Sequence, residues 1–150
     1  MKLQRDLREF IALLNSHGVE YLLVGGHAVA YHGYPRYTGD IDFLIRPSAT
    51  NVAHVLAVLS DFGFGGVGLT DSDFMRPCQV VQLGHPPNRI DILTQISGVD
   101  FDEAWEGAVV TEIDDLPTRI LGREALLKNK RSTDRAKDRA DVEELLKIDS

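Results

Sequence analysis

The segment Asp40-Ile41-Asp42-Phe43-Leu44-Ile45 constrains this chain more than any other. Its apolar residues call for a strand, and a strand turns alternate side chains to opposite faces. Ile41, Phe43 and Ile45 then enter apolar packing, while Asp40 and Asp42 share the other face, about 7 Å apart at their Cα atoms. Two carboxylates so placed repel unless positive charge lies between them. Either they stand in solvent at the start of the strand, each paired to an arginine, or they hold a hard divalent cation. Mg²⁺ is suited to the second case, because it takes oxygen ligands and uses one or two carboxylates together with substrate phosphates.

A third carboxylate, Asp91, stands inside the run Arg89-Ile90-Asp91-Ile92-Leu93. A charge in the middle of a strand core is costly unless paired or metal-bound. If this strand lies beside residues 40–45, the three carboxylates make a cluster for two Mg²⁺ ions. Such ions stand ~3.5–4 Å apart and clamp the attacking and leaving oxygens of a phosphoryl transfer. Upstream, the apolar run "VEYLLV" is broken by Gly25-Gly26, and "HAVAYHG" follows as a short helix closed by Gly33. A strand, a Gly-Gly turn and a helix present free backbone N–H groups to an anion such as a triphosphate.

The rest of the chain supplies a scaffold. Leu3, Leu7, Phe10, Ile11, Leu13 and Leu14 recur at helical spacing, and Gly18 caps that helix. "SATNVAHVLAVLSDFGF" predicts a helix with Ser48 at its N-cap. "GFGGVGL" reads as a glycine-rich loop. "CQVVQLG" and "NRIDILTQI" read as strands joined by a turn at Pro86-Pro87. "DFDEAWEGA" is a short helix capped by Asp100, within which Phe101 and Trp105 read as core packing. "VVTEI" and "TRIL" are short edge strands, and residues 123–148 are helical with a break near Ser132-Thr133. The mixed order of strands and helices predicts an α/β (α+β) fold over a single domain, residues 1–150. One mixed β-sheet is expected, with helices mainly on one side.

Composition narrows the classes. The 150 residues are 43% hydrophobic and 26% charged, with a net charge of -7. That balance argues against a large basic footprint for duplex nucleic acid. The lone Cys78 permits neither an intramolecular disulfide nor a cysteine-based zinc site. No run approaches the ~20 apolar residues of a membrane span, and no signal core opens the chain, so a cytoplasmic location is expected.

Together, Gly25-Gly26, Asp40-Ile41-Asp42 and Asp91 resemble the nucleotidyltransferase superfamily of the polymerase-beta type. "HGYPRYTGDID" is similar, more narrowly, to minimal bacterial nucleotidyltransferase-like proteins, among them abortive-infection-type toxins. That group commonly has Arg-x-Thr before Asp-x-Asp, here Arg36-Tyr37-Thr38. The resemblance implies a nucleotidyltransferase-like fold, a short mixed sheet flanked by helices with further helices at the C-terminus. It implies that Asp40, Asp42 and Asp91 are catalytic and bind two Mg²⁺ ions, and that Gly25 and Gly26 touch a nucleoside triphosphate (NTP). It also implies an acceptor hydroxyl on RNA, such as a tRNA end, or on protein, and an antitoxin or a second copy as partner. One departure stands out: many members carry Ser after the first Gly, whereas here Gly26 is followed by His27.

Other positions admit two roles. Arg36 either stabilises the triphosphate or pairs with Asp40 or Asp42, and Thr38 either supports the loop or binds the nucleotide. The C-terminal segment resembles the group's helical lysine motif, so Lys128 or Lys130 either binds triphosphate or stands solvated at a helix end. Asp138 and Asp141 either pair with neighbouring cations on the helix face or orient a catalytic Lys or Arg. The competing reading of the whole is a non-catalytic relative that binds a nucleotide or a partner protein. A sugar-nucleotide transferase also uses Asp-x-Asp, but it places a larger nucleotide-binding region before that motif than the 39 residues present here.

Overall fold

The computed structural model describes residues 5–34, 40–84 and 89–148. Helix α1 (Arg5–Ser16) turns at Gly18, whose φ of +68° is one that glycine adopts without strain, into strand β1 (Tyr21–Val24). Helix α2 (Gly25–Tyr31) follows β1 without a break, so Gly25-Gly26 forms the first turn of the helix rather than a turn before it. Strand β2 (Asp40–Ile45) leads to α3 (Ala49–Leu59), where the Ser48 side chain accepts a hydrogen bond from the Asn51 N–H. The helix stops five residues short of the expected end. Ser60–Phe64 continues as a wider turn, because Gly63 takes a φ of +102° inside it.

A one-turn helix α4 (Ser72–Met75), not legible in the sequence, precedes β3 (Val80–Leu83) and β4 (Arg89–Leu93). Helix α5 (Phe101–Glu106) starts under the Asp100 carboxylate, which accepts from the Glu103 N–H at 2.8 Å. Strands β5 (Val109–Ile113) and β6 (Leu116–Ile120) form a hairpin, and α6 (Arg123–Arg131) and α7 (Ala136–Ile148) close the chain.

Among the described residues, six strands form one mixed sheet in the order β3-β4-β2-β1-β6-β5. β1 pairs antiparallel with β2 and parallel with β6; β2 pairs parallel with β4. β5 is an edge strand as expected, but β6 is not, because it lies between β1 and β5. Its Thr118 and Ile120 are accordingly buried. The two-residue period holds along β2. Ile41, Phe43 and Ile45 are buried, and the Phe43 ring packs 5.5 Å from that of Phe10 in α1 and 5.7 Å from Tyr21. α1 thus covers the face opposite the carboxylates, while α6 stands on the carboxylate side. Helices meet both faces, not mainly one.

Phe101 and Trp105 pack against the core as expected, at its margin. They stack at 5.6 Å but are only half-buried, with Arg46 over one ring at 4.4 Å and Arg119 over the other at 3.7 Å. A cation over each ring lets the two large rings stay partly wet at the margin of the core. Among the described residues no helix is long and apolar enough to cross a membrane.

Candidate active site

Parallel pairing of β2 with β4 sets Asp42 opposite Asp91 and Asp40 opposite Arg89. Partners in register point to the same face. One carboxylate oxygen from each of Asp40, Asp42 and Asp91 therefore lies within 4.8 Å of the others. Asp91 is buried, and Asp40 and Asp42 are half-buried.

Arg89 meets part of this charge. Its Nε donates to Asp91 Oδ1 at 2.9 Å, and its Nη2 donates to Asp91 Oδ2 at 3.0 Å and Asp40 Oδ2 at 2.7 Å. Sequence reasoning offers Arg36 for such pairing and assigns Arg89 no role. The i, i+2 spacing of Arg89 from Asp91 on one strand face is the signal that would find it. Arg36 and Thr38 lie outside the described residues.

One guanidinium does not balance three carboxylates. The Asp42 carboxyl is pushed up from its ordinary 3.8 to about 7, first by burial and then by the charges of Asp40 and Asp91, against the pull of Arg89. Asp91 is raised too, by burial first, with the Arg89 bond opposing. A crowded all-oxygen donor set with excess negative charge fits a hard divalent cation. His27, next to the Gly-Gly pair, is lowered by burial while Asp40 pulls the other way. Its Nδ1 is buried without a hydrogen-bond partner among the described residues.

Gly25 is fixed by two independent constraints. Its φ is +69°, and a Cβ there would fall on Asp42 Oδ2 and stand 2.9 Å from Asp42 Cγ. A left-handed conformation costs a non-glycine residue about 1–2 kcal/mol, and the added methyl would push Asp42 out of the cluster. Gly25→Ala is therefore expected to lower the melting temperature by roughly 5 °C, with loss of the tightest divalent-cation binding. Calorimetric titration with Mn²⁺ and a melting curve check both effects. Unchanged cation affinity would show that Gly25 does not shape the cluster.

A cleft of about 210 Å³ joins this cluster to the C-terminal helices. Gly25 and Asp42 line one side, and Asn129, Lys130, Thr133 and Arg135 line the other. Lys130 is not a solvated helix-end lysine. It is buried, with Nζ 3.0 Å from Asp138 Oδ1 and 3.1 Å from Asp141 Oδ2. Asp138 and Asp141 are themselves buried. Burial alone would raise the Asp138 pKa. Hydrogen bonds from Thr133 and Lys130, the Lys130 charge and the Arg135 bond outweigh it and hold the carboxyl below its usual range. Lys128, one helical step away, is exposed, bonds Glu103 at 2.8 Å and lines a different and larger cavity of about 830 Å³. The structure thus brings Gly25, Asp40, Asp42, Asp91 and Lys130 to one place, and Lys128 to another.

The profile of a family described as "Nucleotidyl transferase of unknown function (DUF2204)" matches residues 3–149 of the chain. No curated protein matches it in sequence. Among solved structures, a Thermotoga maritima protein named as a nucleotidyltransferase aligns with a TM-score of 0.63 at 16% identity, over 95% of this chain and 91% of that one. The lincomycin-bound lincosamide antibiotic adenylyltransferase LnuA aligns at 0.57 and 19% identity, over 98% of both chains. An antigenic nucleotidyltransferase-like protein of Paracoccidioides brasiliensis aligns at 0.57 and 14% identity, over 95% of this chain and 74% of its own. These structures share the fold: a mixed sheet flanked by helices.

Proposed function

Because this chain belongs to the family of nucleotidyl transferases of unknown function (DUF2204), we propose that it moves a nucleoside monophosphate from an NTP to an acceptor hydroxyl. The observation that carries the reading is the convergence of Asp40, Asp42 and Asp91 beside a cleft walled by Lys130. The acceptor O–H attacks the α-phosphorus, an O–P bond forms, the α–β bridging P–O bond breaks, and pyrophosphate leaves. Asp91, at the cluster, would take up the hydroxyl proton. The backbone N–H groups of Gly25 and Gly26, in the first turn of α2 and without a side-chain cap from Val24, would donate to the phosphates. Lys130 lines the cleft with its Nζ held by Asp138 and Asp141, and its charge would serve phosphate oxygens there. Asp40, Asp42 and Asp91 would hold Mg²⁺, which when bound neutralises phosphate charge and activates the attacking hydroxyl.

The acceptor is an RNA end or a protein hydroxyl; a small-molecule hydroxyl is the third arm of the test, given the lincosamide adenylyltransferase above. Each α-³²P-labelled NTP is incubated with Mg²⁺, the protein, and separately total RNA, protein extract and small-molecule extract. Label in one arm identifies the acceptor class. Absence of label in all three, with metal-dependent nucleotide binding retained, would replace this reading by the non-catalytic one.

The cluster also predicts a pH dependence. Metal-free folded protein keeps a proton on Asp42 up to about pH 7, whereas the unfolded chain loses it near 4. Between those values the folded state binds more protons, so Asp42 contributes stability that is lost as pH rises through about 7. His27, lowered by burial, works in the opposite sense below 6.5, so the contribution is read as a difference between proteins. In EDTA, Asp42→Asn is expected to exceed wild type in melting temperature by a margin that grows between pH 5 and pH 8. With screening at the half-exposed cluster the growth is about 2 kcal/mol, or roughly 5 °C. A margin independent of pH would contradict it.

A further inference from the structure

Resting on the nucleotidyl-transfer reading, we propose that Arg135 is the residue by which this site tells a triphosphate from a diphosphate. Among the described residues, Arg89, Lys130 and Arg135 stand at the cleft and its cluster, and the first two give most of their donors to carboxylates. Arg89 gives its Nε and Nη2 to Asp40 and Asp91. Lys130 is held between Asp138 and Asp141. Arg135 is engaged only at its Nε, which donates to Asp138 Oδ2 at 2.9 Å. Its terminal nitrogens have no partner among the described residues, and its side chain is 73% exposed.

That single bond does something specific. It tethers the guanidinium at its inner nitrogen to a carboxylate that is itself fixed by Lys130 and by Thr133, whose hydroxyl donates at 2.7 Å. The outer edge, with its two terminal nitrogens, stays open as a planar fork. Such a fork matches two oxygens of one phosphate, and tethering reduces the side-chain entropy lost on binding. Depth then assigns the phosphate. Lys130 and Arg135 share one wall of the cleft, with Lys130 deep (8% exposed) and Arg135 at the rim. A nucleotide whose α-phosphate sits at the carboxylates runs its chain outward, so the inner cation meets the inner phosphates and the rim cation meets the last one. A diphosphate ends before the rim.

The test is binding without acceptor, measured by calorimetry with Mg²⁺, α,β-methylene-ATP and α,β-methylene-ADP on wild type, Arg135→Gln and Arg135→Lys. Wild type is expected to prefer the triphosphate by about 10- to 100-fold, the range of a charge-assisted bidentate contact. Arg135→Gln is expected to lose most of that preference through the triphosphate alone, with diphosphate affinity within about twofold of wild type. Arg135→Lys, which keeps the charge but not the fork, falls between. A merely structural role would weaken both nucleotides equally, and that result overturns the proposal. So does a wild type without preference, or an Arg135→Gln variant that discriminates as wild type does. Failure of wild type to bind either nucleotide would overturn the transfer reading itself, and this inference with it.

Discussion

Asp42→Asn is expected to abolish nucleotidyl transfer, by ~10³-fold or more, in a protein that folds at least as well as wild type. Asp42 faces both other carboxylates of the cluster, while the hydrogen bonds of Arg89 go to those two. It stands opposite Asp91 in register, shares a strand face with Asp40 and touches the backbone at Gly25. Its ionised form is disfavoured by burial and by both carboxylates, which is the condition under which a bound cation gains most. An amide has nearly the same shape and can bond Asp91, so the fold loses a repulsion and the site loses a charged ligand. Melting curves in EDTA and transfer of label, run side by side, separate the two effects. A variant that melts far below wild type would place Asp42 in the scaffold instead, and one that transfers label at the wild-type rate would end the catalytic assignment.

The second large effect concerns stability. Lys130→Ala leaves Asp138 and Asp141 buried without the cation that lies 3.0 and 3.1 Å from them. Removing one partner of a buried ion pair costs about 3–5 kcal/mol, equivalent here to a melting temperature lower by roughly 10 °C. Thr133 and Arg135 still bond Asp138, while Asp141 loses its ion pair with Lys130. Lys130→Met combined with Asp138→Asn and Asp141→Asn removes the charges together and is expected to recover most of the stability. It should not recover nucleotide binding, because the cleft then lacks its inner cation. A drop below about 3 °C in Lys130→Ala would show that the ammonium is not needed to hold α6 against α7.

Much of this molecule is written in short-range pattern. The alternation along residues 40–45 places two carboxylates on one face because a strand has a period of two. Ser48 and Asp100 mark helix starts because their oxygens satisfy backbone N–H groups that a helix leaves open, and both do so. The break near Ser132 separates α6 from α7 as the sequence suggests. These features depend on neighbours a few residues away, and local chemistry suffices to set them.

What local chemistry does not contain is which strand lies beside which. Asp91 stands 49 residues from Asp42, and only parallel pairing of β4 with β2, in that register, brings the two together. The same pairing hands the salt bridge to Arg89, and the pairing of β1 with β6 moves β6 inside the sheet. Lys128 and Lys130 are equal candidates in sequence, but two residues along a helix point to different sides. Packing of α6 against α7 decides that one is buried between Asp138 and Asp141 while the other pairs with Glu103 at the surface. Residue types and spacings along the sequence thus determine the chemistry available to this protein. Long-range pairing, driven by burial of the sheet and helix faces, decides which of those groups meet.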